Sequence, residues 1–393
     1  MAWKVLPRDV KKYLVLSTIS GLSFTAIIAS STLGNLLDFP IEKVGWLFSF
    51  SFAIQALLTY FLGRRFEKVS PNLGLFWARI LFSFGTLIYA LCTNVWLFAF
   101  AQILVSFVDV FYPSVVMYER AVFVPKYRES TYSLMFFFTE SSKAVVYFVF
   151  VFILSKYVSG VAFLRIVFLL LFVINVFYAF SFIRILPRVK RGSDLHQDHV
   201  YKPTSAKIFL RFMVHQYLAF TSFGFSSFLI LSYYLMDYFG LSSNSPFLFE
   251  MIFSTTVATS IVWKAKLKLP ADVNLSVGLC LLGGSFLIMM YPNVYLFFAA
   301  HIVMGIGFIL WLPAKETIKT TISPRELGRW EGFFQGLNIF TKVFSPIVSA
   351  IMATHIGYKY VFMLSGVLLM CSWLVAIPAI KWYRQNHIVV TQS

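Results

Sequence analysis

Residues 94–104 read N-V-W-L-F-A-F-A-Q-I-L, and residues 293–303 read N-V-Y-L-F-F-A-A-H-I-V. Six of the eleven aligned pairs are identical, at an offset of 199 in a chain of 393 residues. The same offset returns at Pro125/Pro324 and at Lys143/Lys342. A repeat half a chain long, in so apolar a sequence, points to two related membrane bundles.

Composition supports a membrane chain. It is 59% hydrophobic and only 12% charged, with 46 Phe and a mean hydropathy of +0.79. A soluble globular chain carries about 25% charged residues, and crossing a bilayer core takes ~20 mostly apolar residues per helix. Twelve runs read as spans: 13–37, 43–63, 73–92, 95–118, 130–155, 161–184, 207–236, 247–263, 273–291, 294–317, 330–354 and 359–380. The first is long enough to span and lacks a small-residue cleavage pattern, so it reads as a membrane helix rather than a signal peptide. Short linkers with turn chemistry, such as Asp38-Phe39-Pro40 and Tyr291-Pro292-Asn293, make neighbouring spans antiparallel. The long polar stretch 185–206 separates six spans from six. The expected domains are therefore 1–184, a central linker 185–206, and 207–393 with a short cytoplasmic tail.

The net charge of +17 would suggest nucleic acid in a soluble protein. Here the topology absorbs it. With the amino terminus inside, 26 basic residues fall on the inner side and three (Lys43, Lys156, Lys359) on the outer side. That asymmetry follows the positive-inside rule, places both termini in the cytoplasm, and needs no nucleic acid. Cys92, Cys280 and Cys371 lie in apolar runs without ligand spacing and support no disulfide framework.

Twelve spans as six plus six, a basic central loop and a half-chain repeat resemble the major facilitator superfamily. Local motifs carry the resemblance unevenly. After span 2 the family shows G-x-x-x-D/E-R/K-x-G-R/K, and residues 63–71 (G-R-R-F-E-K-V-S-P) match at Gly63, Glu67 and Lys68 but depart at Ser70 and Pro71. Residues 324–332 (P-R-E-L-G-R-W-E-G), including Arg329, resemble the family's loop after span 10, with P-K-Y-R (125–128, ending at Arg128) as the counterpart after span 4. Drug antiporters of the family carry an Arg in span 4 where this chain has Gln102, and the second half has His301 at the equivalent place. The resemblance implies two pseudo-symmetric six-helix bundles, with spans 1, 4, 7 and 10 lining a cavity that opens to alternate sides of the membrane.

Ionisable groups deep in lipid cost about 2.5–3.5 kcal/mol each on insertion scales, so they face protein or water. Four are deep: Asp109, Glu140, Lys143 and Lys342. At about 1.5 Å rise per residue they lie ~13–20 Å from the inner helix ends. Lys143 and Lys342 are repeat mates, and two ammonium groups would suit a carboxylate or phosphate, with Asp109 or Glu140 taking a proton. The competing reading is structural: Glu140 and Lys143 stand three apart on one helix and neutralise each other. Span 7 places His215, Ser222, Ser226 and Tyr233 at spacings of 7, 4 and 7, one helical face that lines water or packs helices. Span 1 has a comparable stripe of Ser20, Ser23, Ser31 and Asn35. His301 is a candidate for proton coupling because histidine titrates near physiological pH. Glu250 and Asp237 read as solvated rim charges, and Arg79 and Arg165 as snorkelling side chains. Pro113 and Pro313 are expected to break spans 4 and 10. The linker residues Asp194, His196, Asp198 and His199 match no standard zinc spacing.

No G-x-x-x-x-G-K-[ST] run occurs, and no nucleophile–base arrangement or metal cluster is recognisable. The expectation is a non-enzymatic secondary transporter without cofactor, working as a monomer in the plasma membrane. It would move a small organic solute, an anion by preference, with proton coupling. Efflux of hydrophobic or cationic compounds, and a non-transporting receptor or assembly subunit, stand as alternatives.

Overall fold

The computed structural model describes residues 2–66, 69–123, 128–189, 206–267, 269–322 and 327–391. Over these residues the fold is all-α, with no strand. The helices are α1 (Arg8–Leu22), α2 (Thr25–Leu36), α3 (Ile41–Phe66), α4 (Pro71–Ala90), α5 (Val95–Val110), α6 (Tyr112–Val122), α7 (Arg128–Phe148) and α8 (Gly160–Arg184). They continue as α9 (Ala206–Phe225), α10 (Phe228–Tyr233), α11 (Ser245–Leu267), α12 (Ala271–Met289), α13 (Val294–Ile322), α14 (Leu327–His355) and α15 (Tyr358–Thr391). Ten helical stretches among the described residues are long and apolar enough to cross a membrane. The other two expected spans coincide with α5–α6, interrupted at Phe111, and with α14.

Interruptions subdivide three expected spans. α1 gives way to α2 at Ser23–Phe24, α5 to α6 at Phe111, and α9 to α10 at Ser226–Ser227. Single wide turns of π geometry follow α7 (Val149–Ile153) and α10 (Tyr234–Tyr238). The linkers are built as their sequences require. Asp38 adopts φ 56°, and Gly160, Gly240 and Gly357 adopt φ 60°, 63° and 108°, the left-handed region that glycine enters without steric cost. The carboxy-terminal helix runs on to Thr391, so the expected tail from Lys381 is helical rather than a separate segment.

The chain divides into two compact units, Met1–Asp198 with Phe228–Met251, and His199–Ser227 with Ile252–Ser393. Phe228–Met251 thus belongs by its contacts to the first unit, although it lies in the second half of the sequence. Inside the first unit α4 packs on α8 and α5, and α1 packs on α7. Inside the second α12 packs on α15 and α13, and α9 packs on α14. One scheme of partners is used twice, as the repeat requires. It rests on shared local devices. Asn94 Oδ1 accepts from the backbone N–H groups of Trp96 and Leu97, both at 3.0 Å, and Asn293 Oδ1 accepts from those of Tyr295 at 2.9 Å and Leu296 at 3.1 Å. These bonds satisfy donors that a helix start otherwise leaves open. Gly278 lets α12 touch α13: a methyl group there would stand 2.6 Å from the Trp311 nitrogen. Small residues that let backbones approach are the usual means of holding helices together in lipid.

Candidate functional site

A buried group of charges in the first unit gathers where α1 gives way to α2. Lys143 follows Glu140 by one helical turn on α7, and its Nζ lies 2.7 Å from Glu140 Oε2, with both side chains buried. The ammonium also stands 5.4 Å from the ring centre of Phe24, at the interruption itself. One turn further along α7, the Tyr147 hydroxyl receives a hydrogen bond of 3.3 Å from Thr25 Oγ1 at the start of α2. The beginning of α11 closes the group. Phe247 packs edge-on against Phe163 and touches Tyr147 and Phe150, which turns the next residues of α11 inward.

Glu250 is therefore not a rim charge. Only 5% of it is exposed, and its electrostatic neighbours are Lys143, Glu140 and Tyr147. The apolar packing of Phe247 carries Glu250 into the interior, an effect its closeness to a helix end did not reveal. Among the described residues the cluster brings together the carboxylates of Glu140 and Glu250 and the ammonium of Lys143, which Glu140 engages. Asp237 is exposed as expected and accepts from Asn35 Nδ2 at 2.6 Å.

Arg79 also departs from expectation. It does not snorkel; it is buried inside the unit. Its guanidinium donates to Ser23 Oγ at 2.6 Å, Ser20 Oγ at 3.0 Å and Asn175 Oδ1 at 3.5 Å, and its Cζ lies 4.8 Å from the Tyr178 ring centre. The first two serines of the span 1 stripe thus tie the end of α1 to α4. Asp109 on α5 is half-buried and acts on Arg79 through space. Glu119, which no local motif singles out, is buried and accepts from Tyr13 at 2.8 Å and Tyr132 at 3.2 Å.

The remaining candidates are spread through both units. Gln102 Oε1 accepts from Tyr89 at 2.5 Å, and the His301 ring nitrogen Nδ1 lies 2.9 Å from the carbonyl of Phe297 on its own helix. The span 7 stripe is not one continuous face, because the interruption at Ser226–Ser227 divides it. His215 Nδ1 meets Ser372 Oγ at 2.6 Å, and Ser222 donates to the Ser365 carbonyl at 2.7 Å, so both tie α9 to α15. Ser226 bonds back to the Ser222 carbonyl at 3.0 Å, while Tyr233 donates to the Phe39 carbonyl at 2.6 Å within the first unit. Lys342 is half-buried on α14. Lys315, near the end of the expected span 294–317, is buried. Its Nζ lies 2.9 Å from Glu316 and under 5 Å from the ring centres of Phe220 and Trp311, at 4.8 and 4.9 Å.

Of the loop and gating residues, Gly63 lies in α3, while Glu67 and Lys68 fall outside the described residues. Arg128 opens α7 and Arg329 lies in α14, with both side chains outside the described set. Pro113 sits in the first turn of α6, just past the interruption. Pro313 lies inside the unbroken α13, so the second proline does not break its span. The linker residues Asp194, His196, Asp198 and His199 fall outside the described residues.

The profile of the Major Facilitator Superfamily matches residues 13–269 and 273–387. The chain belongs to this family, whose members are secondary transporters. Two solved structures share the fold. The human organic anion transporter MFSD10 (TETRAN) is 13% identical, with a TM-score of 0.68 over 94% of this chain and 99% of that one. A bacterial homologue of the iron transporter ferroportin, in an inward-facing state, is 15% identical, with a TM-score of 0.65 over 95% and 98%. The sequence comparison with curated proteins gave no match.

Proposed function

We propose that this chain carries a small organic anion by alternating access, in company with a proton. The reading rests on the buried pair of Glu140 and Lys143, which acts electrostatically on the buried Glu250. A buried ion pair is a poor source of stability, because desolvating both ions consumes most of what their attraction returns. Intramembrane charges of this kind mark substrate and proton pathways. The pair is also chemically exchangeable. A substrate carboxylate or phosphate can take the place of Glu140 at the ammonium, and a proton can neutralise a carboxylate of the cluster. Lys342, the repeat mate of Lys143, is the second cation we assign to the substrate. The fold is compatible with this cargo, since one solved protein that shares it is an organic anion transporter.

Purified protein in proteoliposomes, offered labelled lactate, citrate and inorganic phosphate under an inward proton gradient, tests the reading. Wild type should concentrate at least one of them, and Lys143→Ala and Lys342→Ala should each abolish that uptake. Undiminished uptake in Lys342→Ala removes that residue from the site, and failure of wild type on all three probes rejects the anion reading. The two carboxylates beside one ammonium favour a second reading, export of hydrophobic cations. In that case cells lacking the protein become sensitive to tetraphenylphosphonium and regain resistance with wild type but not with Glu140→Gln.

A further inference from the structure

We infer that Glu250 is the residue of this cluster that binds and releases the proton, in exchange for a share of Lys143. The inference deepens the proposed function and rests on it for the identity of the cargo. Its own basis is the geometry of the cluster. Lys143 is committed to Glu140 at 2.7 Å, and no ion pair reaches Glu250 among the described residues. Glu250 is nonetheless only 5% exposed, and it stands three residues after Phe247, which packs on Phe163 and Phe150. Among the described residues, the charged and titratable groups that act on it are Lys143, Glu140 and Tyr147, all from α7. One ammonium cannot neutralise two carboxylates at once, and a carboxylate without a counter-charge in an apolar interior takes up a proton instead.

The exchange balances simply. With both acids ionised and Lys143 protonated the cluster carries one negative charge. A proton that bonds to a carboxylate oxygen of Glu250 brings it to zero, and Lys143 keeps its own proton throughout. Glu140 then faces the ammonium without a competitor, and an incoming anion contends with one carboxylate rather than two. Proton and monoanion move together without net charge, so transport follows the pH gradient and not the membrane potential.

Infrared difference spectroscopy of the protein in lipid vesicles, between acidic and alkaline pH, reads this directly and needs no substrate. Wild type should show, at a higher frequency than the signal of the solvent-exposed acids, a buried protonated-carboxyl band that appears on acidification. The band should vanish in Glu250→Gln, persist in Glu140→Gln, and persist at a shifted frequency in Glu250→Asp, which keeps the acid and guards against misreading an unfolded variant. In Lys143→Met it should appear at higher pH than in wild type, because the cation that favoured the ionised form is gone. An unchanged spectrum in Glu250→Gln, or a band lost in Glu140→Gln instead, overturns the assignment. Failure of the transport reading would show separately, as absence of anion uptake by wild type.

Discussion

Lys143 can remain charged within the bundle because Glu140 stands one turn before it on the same helix, with its oxygen 2.7 Å away. Removing one member of such a pair leaves the other buried and uncompensated. Lys143→Met is therefore expected to destabilise the protein by about 3–5 kcal/mol, and Glu140→Met in the same chain should restore most of that loss. Thermal unfolding in detergent checks it, and equal stability of the single and double variants would contradict it. This pair was legible in the sequence, because a spacing of three on a helix is a contact. Glu250 was not, since its partners lie more than a hundred residues earlier and local spacing carries no trace of them. Arg79 was misread for a related reason. Nearness to a helix end suggested escape to the surface, yet oxygens from Ser20, Ser23 and Asn175 on two other helices solvate it in place.

At the scale of elements, glycine positions on α12 separate packing from propensity. Gly278 is pressed against α13, whereas Gly284 on the same helix has open space where a methyl group would go. Gly278→Val should cost about 1–3 kcal/mol through overpacking. Gly284→Ala should gain roughly 0.5–1 kcal/mol, because alanine loses less backbone freedom in a helix. Unfolding midpoints of the two variants would move in opposite directions, and a shared direction would refute the assignment of Gly278 to the helix contact. The two asparagine caps supply a parallel case: Asn94→Ala and Asn293→Ala should each cost about 1 kcal/mol. Because each caps a helix in its own unit and they share no partner, their effects should add. Helix interruptions were only partly readable. Pro113 announced one, since its missing N–H fits the first turn of a new helix. Pro313 misled, because the helix continues through it. No proline marks Ser23–Phe24 or Ser226–Ser227; each instead follows a glycine by two residues, Gly21 and Gly224, a weaker signal than proline.

At the scale of the molecule, composition and repeat were sufficient for the fold class, because apolar length and half-chain periodicity are properties of the whole sequence and survive errors in any one helix. They did not foresee that Phe228–Met251 would pack with the first unit, a consequence of side-chain contacts such as Thr32 Oγ1 with Ser232 Oγ at 3.3 Å. What charge does dictate at this scale is orientation. Translocating a basic loop against the positive-inside bias is unfavourable, and only Lys43, Lys156 and Lys359 are assigned to the outer side. Lys156, Arg188, Lys359 and Lys381 are all exposed and so can report which side they occupy. In a chain with Cys92, Cys280 and Cys371 replaced by serine, a membrane-impermeant maleimide should label Lys156→Cys and Lys359→Cys on intact cells. Arg188→Cys and Lys381→Cys should label only after permeabilisation, because the charge bias predicts an amino terminus in the cytoplasm and an even number of crossings before each. Labelling of Arg188→Cys from outside would invert the first unit and detach the basic residues from the side that retains them. The count of crossings between Lys156 and Arg188 would then be even where the expected topology makes it odd, and the pairing of the halves would have to be redrawn.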